Sequence, residues 1–426
     1  MDANRFLTHS LQDPRVTRIL AAALDAVEPA KLVRDYLQKA DLPKYDRVFL
    51  LGIGKAAEPM TVAAADILTH FADALIVTKH ASGRTFSRVT VMEGGHPIPD
   101  ERSLAAGQAV FDFVSKLNEN DLLICLISGG GSALVTLPYY GVSLENIQEL
   151  TSILLACGAT IDEINTFRRL FDKLKGGRLA RATKAKVLSL ILSDVPGDRL
   201  ETIASGLTAR DPTDQMTAID ILRKYDIEYK LPKAILGGII LQPSIIDDSI
   251  FQTRVQNIIV GNNRTAANAA KVQAEREGFY SEIIGLEIQG EARSVGEKLA
   301  ETLFAVSGNR PGPFCLIAGG ETTVTIKGNG KGGRNQELAL AAVNPLRGVE
   351  NILFISLATD GDDGPTDAAG AAVNGESYQR AKKLGMDASD YLSRNDAYNF
   401  FDPLDDLLKP GYTGTNVNDL VFLIGL

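Results

Sequence analysis

Several loops carry residue types suited to handling phosphate. The segment Gly52-Ile-Gly54-Lys55-Ala-Ala57 follows the apolar run Val48–Leu51. Gly-x-Gly-x-x-Ala after a strand is the fingerprint of a dinucleotide-binding turn, where backbone meets a pyrophosphate at a helix N-terminus. Lys55 stands directly after the second glycine, where it would intrude on that pyrophosphate. The same placement suits a loop that brings an ammonium to a phosphoryl group. Ser128-Gly129-Gly130-Gly131-Ser132 follows the apolar run LLICLI. Three successive glycines let N–H groups turn inward as an anion nest, and the two hydroxyls add donors; a plain turn needs fewer glycines. Gly328-Asn-Gly-Lys331-Gly-Gly-Arg334-Asn335-Gln-Glu337 is the most charged glycine loop. Lys331 and Arg334 on a flexible glycine frame suit phosphate oxygens, Arg334 bidentately.

Acidic loops complement these. Thr359–Asp367 holds four aspartates within eight positions. Counted from Asp360, the sixth position is Pro365 and the twelfth Ala371, which excludes an EF-hand. Carboxylates beside anion loops suit Mg²⁺, which takes one or two of them plus phosphate oxygens. Asp360 and Asp194, the latter in Asp194-Val-Pro-Gly-Asp198, are the metal candidates. Ordinary Asp/Gly turn chemistry accounts for each aspartate singly. Lys173-Leu-Lys175-Gly-Gly-Arg178, after Phe167-Arg168-Arg169, reads equally as an anion site and as a solvated charged face. In Gly95-His96-Pro97-Ile-Pro-Asp100, Asp100 caps the next helix and His96 reads as structural.

The elements that must position these loops alternate. Apolar runs RVFLL, ALIVT, VTVME, DLLICLI and KVLSLILS are separated by helical patterns near 55–70, 101–117 and 144–157. A second series, QNIIVG, SEIIGL, PFCLIAGG, TTVTIKG, NILFISLATDG and DLVFLIGL, has helical patterns near 263–277, 291–307 and 334–344. Such alternation predicts α/β architecture: mostly parallel sheets flanked by helices, with ligands at the carboxyl ends of the strands. The candidate loops, and Glu321 after PFCLIAGG, fall at those ends. A looser stretch at 225–250 predicts two domains, 1–240 and 250–426. Asp13-Pro14 starts an N-terminal helix and Pro29 breaks it.

The chain has 426 residues, 45% of them hydrophobic, and a net charge of −9. That size supports two cores, and that charge argues against a general nucleic-acid or membrane-surface binder. Cys125, Cys157 and Cys315 are far apart, with no disulfide or zinc spacing, and the four histidines form no metal pair. The N-terminus MDANRFLTHS has no signal-peptide pattern and no apolar run reaches membrane-spanning length, so the reading is a cytoplasmic protein. Its oligomeric state is open, a homo-oligomer included.

A nicotinamide site needs an acid at the end of the second strand, whereas ALIVT is followed by Lys79-His80. Phosphoryl transfer fits the parts better, since it requires positioned cations, anion cradles and metal carboxylates. Neither Gly-Lys pair precedes Ser or Thr, so there is no Walker A loop, and the protein-kinase motifs are absent. The residues themselves define a phosphate-handling, two-domain α/β enzyme.

Longer stretches carry a resemblance. GIGKAA, EGGHPIPDE, SGGGSAL, KGGRLA, SDVPGD, IASGLTARDPTD, GGETTVTIKGNGKGGRNQELAL, TDGDDGPTDAAGA and TGTNVNDL together span nearly the whole chain. The sequence resembles the glycerate 2-kinase family with a C-terminal MOFRL domain. The resemblance implies transfer of the ATP γ-phosphate to the 2-hydroxyl of D-glycerate with Mg²⁺. It implies a Rossmann-like N-terminal domain, a smaller α/β C-terminal domain and an active site in the cleft between them. It places the active-site lysine on Lys55 and the active-site arginine on Arg334. Gly54, Ser128, Gly129, Gly130, Gly131, Ser132, Lys175, Glu321 and Asn335 are the candidate substrate- or phosphate-binding residues. Leu170 and Asp172 stand where the family pattern has His and Ser, and Leu207 where it has Pro; these departures bear on substrate identity. Two other readings are a hydroxypyruvate reductase, opposed by the missing acid after ALIVT, and a non-catalytic sugar-acid or nucleotide sensor, opposed by the retained Lys55, Arg334 and aspartate loop.

Overall fold

The structure is a computed structural model describing residues 1–426 except positions 43, 69, 86, 140, 242–247 and 311. The chain divides into two compact units, Pro29–Val260 and the two-segment unit Met1–Glu28 with Gly261–Leu426.

In the contiguous unit the strands are β1 (Arg47–Ile53), β2 (Asp73–Thr78), β3 (Val89–Glu93), β4 (Asp121–Ile127), β5 (Lys186–Leu192) and β6 (Val255–Gly261), in the order β3-β2-β1-β4-β5-β6. β1 runs parallel to β2 and β4, β2 to β3, and β4 to β5. This is the strand order of the doubly wound dinucleotide-binding fold, which reverses direction between β1 and β4. All seven residues of β4 are buried, which is why it reads as one unbroken apolar run. Each such Leu or Ile contributes about 1.5–3 kcal/mol on burial. Helix Ala57–Leu68 turns Met60, Ala63 and Ala64 inward. Helix Glu101–Ser115 starts at Asp100 in a reciprocal capping box with Ser103, as the sequence predicts.

The second sheet contains β7 (Tyr280–Ile288), β8 (Phe314–Gly320), β9 (Ile352–Ala358), β10 (Gly370–Val373), β11 (Leu407–Leu408) and β12 (Asp419–Gly425), in the order β11-β10-β9-β12-β8-β7. β7 and β8 are parallel, but β12 lies between β8 and β9 antiparallel to both, and β10 is antiparallel to β9 and β11. The direction of β12 was not legible because it is buried throughout, and burial gives the same apolar run whichever way a strand points.

The units cut the chain differently from a division at 240–250. QNIIVG forms β6, the edge of the first sheet, instead of opening the second. The first 28 residues pack within the C-terminal unit. Helix Pro14–Asp25, capped by Asp13, places Arg18 against Glu277 with two bonds of 2.7 Å and Arg15 over the Phe279 ring at 4.8 Å. The Ser10 N–H and Arg380 both donate to buried Asp406. The amphipathic helix announces that it is buried, but its partner lies about 250 residues away. TTVTIKG forms no strand; within it only an isolated bridge joins Thr323 to Glu291. Cys125 and Cys315 are buried core thiols, pushed up to about 12 by burial and therefore unreactive.

Candidate active site

At the carboxyl ends of β1 and β4 the two glycine loops are joined. The Lys55 N–H donates to the Gly129 carbonyl (2.9 Å), the Ser128 N–H to the Ile53 carbonyl (3.0 Å) and the Ala56 N–H to Ser128 Oγ (2.9 Å). This is the topological switch point of the sheet, where open α/β sheets bind ligands. Lys55 is partly buried and its ammonium has no ion-pair partner among the described residues. Gly130, at φ 87°, opens the short helix Gly131–Leu134 and lies against the Lys55 stem and the His96 ring. A Cβ on Gly129 would overlap Asp194 Oδ2, so the bare glycine admits the carboxylate to the loop. Ser132 Oγ stands 2.6 Å from Ser205 Oγ. Ser205 belongs to a left-handed run, Ala204, Ser205 and Gly206 at φ 48°, 56° and 67°. Two non-glycine residues in that region cost about 1–3 kcal/mol each and persist only where their surroundings fix them.

His96 has a larger place here than the sequence implied. Burial first, then the charges of Lys55 and Lys79, lower its pKa from 6.5 to about 4. The imidazole is therefore neutral near pH 7. Because the folded pKa lies below the unfolded one, the stability linked to this group is complete above about pH 6.5 and is lost as pH falls toward 4. We expect His96→Asn to lose less melting temperature between pH 7 and 5 than the wild type does. Equal losses in thermal melts would show that His96 does not carry this acid sensitivity.

In the other unit, Arg334 opens helix Arg334–Ala342. Its guanidinium grips Asp419 with bonds of 2.6 and 3.1 Å, and Glu321 lies 3.0 Å away. Burial acts to lower its pKa, but Asp419 and Glu321 outweigh it and raise the pKa above the usual arginine value. Asp363 is buried at the helix start and accepts the Asn335 and Gln336 N–H groups at 3.1 and 2.8 Å. Burial, aided by the Asp419 charge, raises its pKa to about 7 against those bonds. The four aspartates of this loop thus do separate work. Asp363 caps the helix, Asp367 accepts from Tyr398 (2.7 Å), Asp362 is exposed and Asp360 is partly buried at the end of β9. The glycine loop before Arg334 is not a flexible frame: Lys331 stacks on the Tyr398 ring at 3.8 Å and its N–H bonds Asp396.

Three of the candidate binding residues have protein partners of their own. Lys175 is buried, with its ammonium 2.8 Å from Asp172 and 3.3 Å from Thr136, so its charge is already neutralised. Asn335 is 1% exposed, accepts from Ser356 at 2.6 Å and faces Asp363, so it holds the helix in place. Glu321 acts on Arg334, as a carboxylate must beside a cation. Leu170 and Leu207 lie in hydrophobic cores. Sequence reasoning missed Asp419, Asp363 and Ser205 as partners of the site; each lies in one of the quoted stretches, TGTNVNDL, TDGDDGPTDAAGA and IASGLTARDPTD, but none was singled out. No group of three or more His, Cys, Asp or Glu among the described residues stands ready to hold a metal ion. No described helix is long and apolar enough to cross a membrane.

Residues 15–239 match a family described as a domain of unknown function (DUF4147), and residues 314–419 match the MOFRL family. Full-length relatives with this two-part α/β plan are kinases. The D-glycerate 2-kinase of Thermotoga maritima is 43% identical over 417 residues, covering 96% of each chain. The glycerate 2-kinase of Pyrococcus horikoshii is 38% identical over 427 residues, again covering 96% of each. The crystal structure of Thermotoga maritima glycerate kinase superposes with a TM-score of 0.88 at 42% identity, covering 96% of this chain and 98% of that one. The chain belongs to the glycerate 2-kinase family.

Proposed function

We propose that the protein transfers the γ-phosphoryl group of ATP to the 2-hydroxyl of D-glycerate, giving 2-phosphoglycerate and ADP. The observation that carries this reading is Lys55, a partly buried ammonium without an ion-pair partner among the described residues, held where the two glycine loops interlock. Lys55 stabilises charge on the transferring phosphoryl oxygens, and the glycine loop Ser128–Ser132 presents N–H and hydroxyl donors to phosphate. Arg334 is oriented by Asp419; Glu321, 43% exposed, is the partner that an anionic substrate displaces. The donor chemistry fits Mg²⁺: Asp194 touches the glycine loop and Asp360 lies just after β9, and Mg²⁺ needs only one or two carboxylates when phosphate supplies the rest. Asp194 or Asp360 would hold the ion, which when bound would supply charge neutralisation to the phosphate.

Incubation with ATP, Mg²⁺ and D-glycerate tests the reading by ADP release, and phosphorus NMR identifies the product. Release of 3-phosphoglycerate alone would overturn the regiochemistry. No ADP with any small hydroxy acid would overturn the kinase reading. The same protein with NADH and hydroxypyruvate tests the reductase alternative. For the metal, Asp194→Asn and Asp360→Asn should each raise the Mg²⁺ concentration giving half-maximal rate. If both variants keep the wild-type Mg²⁺ dependence, neither carboxylate holds the ion.

A further inference from the structure

Beside Ser132 the contiguous unit contains a cavity of about 560 Å³. That is within the range of roughly 300–1,000 Å³ typical of small-molecule sites. Its walls are largely apolar, with Ile98, Ile147, Leu155 and Phe171 among them. Two cations line it, Arg168 and Lys175, and they differ in state. Lys175 is neutralised by Asp172 at 2.8 Å. Arg168 has no carboxylate partner among the described residues; its one hydrogen bond is to Asn165 Oδ1 at 3.3 Å. Burial accordingly lowers the Arg168 pKa from its usual value, opposite in direction to the salt-bridged Arg334. A guanidinium offers five N–H donors in a planar fork matched to a carboxylate. An apolar surround strengthens that pairing and leaves the cation poorly compensated without it.

We propose that this cavity receives the acceptor acid and that Arg168 binds its carboxylate. The inference rests on the kinase reading and deepens it, moving the anion role on this wall from Lys175 to Arg168. A bland alternative exists: Arg168 lies in the last turn of helix Ile161–Leu170, where a cation complements the helix dipole. That role requires neither an apolar cavity wall nor a particular cationic shape.

The test uses the full chain carrying Arg168→Met or Arg168→Lys. Arg168→Met should raise KM for D-glycerate about 10- to 100-fold, the loss of charge-assisted hydrogen bonds, with KM for ATP unchanged. Arg168→Lys should recover part of that loss, and melting temperatures should show both variants folded. Calorimetric titration of D-glycerate without nucleotide gives a readout separate from turnover. The wild type should bind and Arg168→Met should bind at least about 10-fold more weakly. An unchanged glycerate KM and affinity in folded Arg168→Met, or an effect on the KM for ATP alone, would overturn the proposal. Absence of ADP release by the wild type would overturn the kinase reading. Glycerate binding that still depends on Arg168 would then leave this inference standing.

Discussion

Lys55→Met should reduce kcat about 100-fold or more while leaving the melting temperature nearly unchanged. A positioned cation that stabilises charge developing in the transition state is worth about 2.7–4 kcal/mol in activation free energy. Methionine keeps the stem that packs against Gly130 and removes only the ammonium. No ion pair is broken, because none involves Lys55 among the described residues. Folding therefore has little to lose. Steady-state kinetics with ATP and D-glycerate check the result. A variant with wild-type kcat and a raised KM would show that Lys55 binds ground state and transition state alike.

Gly54→Ala should be damaging for a different reason. Gly54 sits at φ 132°, a conformation that L side chains rarely adopt. An added Cβ would overlap Ser128 Oγ and stand 2.5 Å from the Ser128 carbonyl oxygen. Ser128 cannot step aside freely, because its Oγ holds the Ala56 N–H and its own N–H holds Ile53. Strain together with a broken loop-to-loop bond should cost about 3 kcal/mol or more. For a unit of this size that corresponds to roughly 6–12 °C in melting temperature. Activity should fall as well, since the same bonds fix Lys55. Gly237→Ala is the control: it lies in helix Lys233–Leu241 with nothing within 4 Å of the new Cβ. It should be neutral or stabilising by up to about 1 kcal/mol. If Gly54→Ala melts like this control, the loops are looser than their hydrogen bonds imply.

How much of this could be read from the sequence depended on distance along the chain. The β1 and β4 loops were legible because a buried parallel strand writes an unbroken apolar run and the glycines follow it directly. The Asp100 cap was legible for the same reason, its partner being three residues away. Arg334 was legible as a cation but not as a held one, since Asp419 is 85 residues further on. For the aspartate loop sequence shows charge and not direction; in space Asp363 and Asp367 face different partners. For Lys175 the sequence shows a cation but not its pairing with Asp172, three residues before it.

The order of the strands in the second sheet also governs how the protein can be made. Helix Pro14–Asp25 emerges from the ribosome with Val16, Ile19, Leu20 and Leu24 ready for burial, yet its partner helix Asn263–Arg276 follows about 250 residues later. At about 5–20 residues per second, that stripe waits on the order of 10–50 s. Pro29–Val260 is contiguous and can fold during that time. The second unit cannot close even then, because β12, the strand between β8 and β9, is the last of its sheet to be synthesised. Until Asp419–Gly425 arrives, β8 and β9 each offer an unpaired edge, the surface on which nascent chains join one another. A premature stop at Asp419 therefore removes β12, opens the sheet at its centre and leaves an aggregation-prone chain, although it takes away neither Lys55 nor Arg334.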